Sequence, residues 1–115
     1  TYLGEVIEIR REKHSYKFWA TASIMAAYYE ILNLSSNWLI RKGINKAIAN
    51  NYIAELFLSL SQDAVNKKSQ GFKKLVADSQ TPKGLNMQVL NELKKGKFYS
   101  KLIKAMDNIN KRVSS

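Results

Sequence analysis

The residue types best suited to chemistry lie in one short stretch, "TPKGLN", residues 81–86. It holds the only proline, Pro82, and one of five glycines, Gly84. Pro82 fixes its own φ and pushes Thr81 towards an extended conformation. Gly84 permits a tight turn, or the close approach of another group to the backbone. A helical pattern follows, so N–H groups near Asn86 and Met87 open a helix without intrahelical acceptors. Such groups, with the helix dipole, suit a carboxylate or a phosphate. The same residues suit an ordinary interhelical turn, and local physics leaves both readings open.

The other chemistry-bearing residues are isolated. His14 is the only histidine. No nucleophile or orienting acid stands at a spacing that would select it. Glu30 and Glu55 fall one to a helix, Glu30 inside an apolar run, and read as structural or ion-pairing acids. Trp19 and Trp38 read as core or interface residues rather than a ligand platform. There is no cysteine. That excludes a disulfide framework and a cysteine-ligated metal, and one histidine excludes a histidine-rich site. No metal is expected, and no catalytic residue is assigned.

The elements that must position these residues are almost all helical. Residues 3–9, "LGEVIEI", alternate with period two and read as one short strand. A lone strand cannot satisfy its own backbone. It therefore belongs to a larger protein or pairs between copies. After "RREKHS" the pattern predicts one helix running to Gly43. Phe18, Ala22, Met25, Tyr29, Leu32 and Leu39 form one stripe; Thr21, Ile24, Tyr28, Ile31 and Trp38 form a second beside it. Two stripes mean a helix covered on more than one side. Arg41, Lys42 and Gly43 suit its C-terminus. Asn45 suits the cap of a second helix over about 46–68, with a stripe of Ala49, Ile53, Leu56, Leu60 and Ala64. Shorter helices follow over about 71–78, 85–95 (stopping at Gly96) and 97–112. The expectation is an all-α domain of about five helices preceded by one orphan strand. The division is 1–10, a terminal strand and linker, and 11–115, the helical domain.

The 115 residues suit one domain, and a chain this short often needs a partner for extra burial. Its 45% hydrophobic content argues against a disordered tail. The run Phe18–Ile40 has only Glu30 charged, but Thr21, Ser23, Asn33, Ser35, Ser36 and Asn37 interrupt it, so no membrane span is expected. The net charge of +10 is uneven. Residues 1–66 hold seven Lys/Arg against six Asp/Glu; residues 67–115 hold twelve against three. A basic half attracts anions, yet most of these residues are lysines on polar helix sides. Asn108 and Asn110 are the only nearby side chains suited to reading bases, and no recognition motif accompanies them. A nucleic-acid partner is not expected.

These motifs together give the chain a family resemblance. It resembles the C-terminal dimerisation domain of the pyrroline-5-carboxylate reductases. "LGEVIEI" looks like the strand closing that family's nucleotide-binding sheet. "TASIMAAYYEILNLSSNWLIRKGI" is similar to its long first helix, and "NKAIANNYIAELFLSL" to the next. "TPKGLNMQVLNELKKGKFYSKLIKAMDNINKR" resembles its S-P-G-G-T-T turn, the helix after it and the final helix. Pro82 and Gly84 match that turn. Thr81 replaces Ser, Lys83 replaces Gly, and Leu85 and Asn86 replace two Thr. The glycine-rich opening of the first helix gives way to Ser23–Ala27, without glycine or proline.

The resemblance implies a helical homodimer interleaved through the long helices. It implies a cytoplasmic, proline-making type of oxidoreductase that transfers hydride from NAD(P)H to a cyclic imine. The cofactor would be held mainly by a Rossmann domain absent from these residues, and the chain alone would be inactive. Substrate binding would fall to Thr81, Pro82, Lys83, Gly84, Leu85 and Asn86, around a small carboxylate at the cleft between domains. Two alternatives stand beside this: a small basic helical nucleic-acid-binding protein, and a catalytically dead protein-interaction domain.

Overall fold

The computed structural model describes residues 15–80 and 84–114. The strand expected at 3–9, the linker to residue 10, and His14 lie outside the described residues. Every regular element is helical: α1 Ser15–Ala22, α2 Met25–Arg41, α3 Lys46–Asn66, a 3-10 turn Lys68–Gln70, α4 Phe72–Asp78, α5 Leu85–Lys95 and α6 Phe98–Ser114. The all-α expectation holds among the described residues. Among the described residues the first predicted helix is broken into α1 and α2.

The break has a local cause. The N–H of Ser23 still reaches the Trp19 carbonyl at 3.0 Å, but Ile24 shortens its bond to Thr21, 3.3 Å away. The ladder restarts with Tyr28 N–H to Ile24 C=O at 2.9 Å. Across this gap, Thr21 Oγ1 donates to the Phe18 carbonyl at 2.8 Å and Ser23 Oγ to the Ala20 carbonyl at 2.7 Å. Hydroxyls bonding back to the preceding turn compete with the helical ladder and bend or end it. Apolar periodicity continues through such a break, so a reading by period alone joins the two helices.

The residues form two units: one up to Tyr28 and from Glu92 onward, the other Tyr29–Asn91. In the first, α1 lies along α6, and Ala20 is buried. The apolar side of α6 offers Leu102, Met106, Ile109 and Val113, all half-buried. Phe98 meets Tyr99 edge to face at 5.1 Å.

In the second unit α2 ends as its sequence suggests. Gly43 takes φ of 100°, its N–H reaches the Ile40 carbonyl, and the Ile44 N–H reaches back to Leu39, both at 3.0 Å. This pair of bonds closes a helix around a left-handed glycine. Asn45 then caps α3, its Oδ1 accepting from the N–H groups of Ala47 at 2.8 Å and Ile48 at 3.3 Å. Ala49 and Ile53 are buried, Leu56 and Ala64 half-buried, and Leu60 exposed. The predicted stripe is therefore real, but this chain covers only the N-terminal end of it fully.

Candidate functional site

The "TPKGLN" turn joins α4 to α5, and Thr81, Pro82 and Lys83 lie outside the described residues. What flanks them is well defined. At the end of α4 the Ser79 N–H reaches the Leu75 carbonyl at 3.0 Å and Ser79 Oγ donates to the Val76 carbonyl at 2.8 Å. On the far side Gly84 adopts φ of 69° with open space around its α-carbon. This is left-handed backbone, where a Cβ would be strained. The Gly84 carbonyl accepts the Gln88 N–H at 2.9 Å and starts α5. Leu85 follows, exposed.

Asn86 connects the two sides. Its Nδ2 donates to the Ser79 carbonyl, seven residues earlier. The side-chain amide thus clamps the end of α4 to the start of α5. One of its two amide N–H groups is engaged within the protein; the other N–H and Oδ1 remain available. Val76, Ser79, Gln80, Asn86, Met87 and Leu90 line a cavity of about 170 Å³ at this turn. Ser79 and Gln80 escaped the sequence reading because the carbonyl that matters is backbone, which residue type does not advertise.

The remaining candidates are dispersed. Glu30 and Glu55 are exposed rather than buried acids. Glu30 Oε1 accepts from Asn33 Nδ2 at 3.1 Å. Trp19 meets Tyr16 edge to face at 5.3 Å, and Trp38 carries the Lys42 ammonium over its ring at 5.4 Å. Lys74 pairs with Asp78 at 3.1 Å, one helical turn away. Among the described residues no three His, Cys, Asp or Glu side chains gather as metal ligands. No described helix is long and apolar enough to cross a membrane.

A second feature lies between α2 and α3. Ser36 is buried, and its Oγ donates to Asn50 Oδ1 at 2.5 Å. Beside it Asn37 Nδ2 donates to Asn33 Oδ1 at 3.3 Å. These polar groups sit in a cavity of about 430 Å³ floored by Leu32, Ile40, Ile53 and Ala54. Their sequence signal was the spacing of Asn33, Ser36 and Asn37, which puts all three on one helical face. Asn33, Ser36 and Asn37 had registered only as interruptions of an apolar run.

The outer faces of both helices are apolar and open. Leu34 is 57% exposed and Trp38 52% on α2; Ile48 is 63% and Tyr52 56% on α3. Monomeric proteins rarely leave contiguous apolar surface of this kind uncovered. Ala20, Ala49 and Ile53 are the buried hydrophobic residues among those described. Open apolar stripes of this kind are the surfaces proteins use for association.

Residues 15–115 match the family model described as pyrroline-5-carboxylate reductase dimerisation. The chain belongs to that family. No curated protein and no solved structure gives a significant match.

Proposed function

We propose that the chain is the dimerisation and substrate-side domain of an NAD(P)-dependent oxidoreductase, working as a homodimer. The family match over residues 15–115 carries this reading. The open apolar faces of α2 and α3 support it, because a second copy would cover them. In this reading the reaction is reduction of a cyclic imine such as pyrroline-5-carboxylate, the proline-forming type. NAD(P)H supplies the hydride when bound. The residues of this chain do not fit the cofactor: the sequence contains no G-x-G-x-x-G. The cofactor is therefore assigned to a nucleotide-binding domain outside these residues.

The contribution of this chain is positioning. The N–H groups of Asn86 and Met87 open α5 without helical acceptors and suit a carboxylate. A carboxylate only accepts hydrogen bonds. One Asn86 amide N–H is held by the Ser79 carbonyl, so the side chain fixes the turn and keeps its second N–H for the carboxylate. Thr81 and Lys83 supply further donors, Pro82 and Gly84 the shape, and Leu85 an apolar edge. The test is titration of the isotope-labelled protein with L-proline, followed by amide NMR. Shifts should concentrate at Gly84, Asn86 and Met87. Shifts spread over the surface, or none at millimolar proline, would overturn the carboxylate site.

A further inference from the structure

The polar cluster between α2 and α3 is half-satisfied. Ser36 Oγ donates to Asn50 Oδ1, which directs the Asn50 amide donor away from that contact. Asn37 Nδ2 donates to Asn33 Oδ1, which leaves the Asn37 carbonyl oxygen as an open acceptor. Both residues line the same cavity, on an apolar floor. Asn50, with its amide N–H groups, and Asn37, with its carbonyl oxygen, therefore remain beside an apolar surface, and Lys46 lines the same cavity. In water both are solvated at no cost. Once covered, an unpaired amide group weakens association roughly tenfold or more.

A twofold pair brings each surface against itself, so every contact between two different residues occurs twice. An amide donor on Asn50 and an amide acceptor on Asn37 in one cleft form a self-complementary set under that symmetry. Resting on the dimer reading above, we propose that Asn50 of each copy donates to Asn37 of the other, and that this reciprocal pair sets the register of the interface. The apolar residues cannot do this alone. Leu32, Ile40 and Ile53, which line the same cavity, offer interchangeable apolar surface, so a slip of one turn exchanges one apolar contact for another. Such a slip separates the two amides and strands them in an apolar setting. Polar residues at single positions of helical interfaces fix pairing in this way.

The test uses Asn37→Leu and Asn50→Leu, each made alone, and their mixture. Each variant alone should self-associate about tenfold more weakly than the wild type, because each leaves one amide without its partner in both contacts. Mixed one to one, the variants keep one Asn–Asn contact and place leucine against leucine at the other. Native mass spectrometry with one variant isotope-labelled should then show heterodimers well above the statistical half. A contact confined to one chain cannot be complemented by a second chain. Heterodimers at or below one half would therefore overturn the proposal. If either leucine variant fails to fold by circular dichroism, Asn37→Asp and Asn50→Lys repeat the logic, with a carboxylate facing an ammonium only in the mixed pair. A wild type that stays monomeric at tens of micromolar would overturn the dimer reading itself. A dimeric wild type whose variants show no preferential pairing would overturn only the register pair.

Discussion

Leu34→Ala separates the interface from the fold. Leu34 lies on the outer face of α2 with 57% of its surface still exposed, so the chain alone loses little when it is truncated. Full burial of a leucine side chain stabilises by about 1.5–3 kcal/mol. Roughly half of that remains to be gained on association, about 1–1.5 kcal/mol per copy. A symmetric dimer buries the residue twice, so the substitution should cost about 2–3 kcal/mol per dimer, roughly thirty- to a hundred-and-fortyfold in Kd. Sedimentation equilibrium across a concentration series reads this directly, with helical content by circular dichroism as the control. Unchanged Kd with unchanged helicity would refute the placement of this face in the interface. Loss of helicity at concentrations where the wild type is monomeric would refute the claim that Leu34 contributes little within the chain.

Three further outcomes follow from local geometry. Asn45→Ala removes the acceptor for two N–H groups at the start of α3 and should cost about 1 kcal/mol in chemical denaturation. Lys97 has φ of 62° just after α5, a left-handed conformation that costs a side-chain residue about 1–2 kcal/mol, so Lys97→Gly should raise the melting temperature slightly despite the greater freedom of glycine when unfolded. Asn86→Ala releases the clamp on Ser79, so the proline-induced amide shifts should saturate at higher ligand concentration while helical content by circular dichroism stays unchanged.

Most of the helix plan was legible because its signals are local. The glycine at 43 and the asparagine at 45 act within a few residues, and both ends formed as their residue types suggest. The break at Ser23 and Ile24 was not legible, since hydroxyl back-bonding from Thr21 and Ser23 leaves apolar periodicity intact. Glu30, read as a structural or ion-pairing acid, stands exposed and accepts a hydrogen bond from Asn33 although it lies inside an apolar run. The run is apolar because α2 presents more than one face for covering, and an acid between those faces can still reach water.

The turn at 81–86 illustrates a different limit. Residue types there fitted both an anion site and an ordinary interhelical turn, and the family resemblance added Asn86 to the substrate residues. One N–H of its amide reaches back to a backbone carbonyl, and no side-chain pattern encodes that partner. The consequence is chemical. An asparagine with one N–H committed in this way ties two helix ends together. In the carboxylate site proposed above, the Asn86 and Met87 backbone N–H groups belong to no side chain, so they survive substitutions at 85 and 86 that keep this tie. On that proposal, Leu85 and Asn86 stand where related turns carry threonines at no cost to the backbone donors.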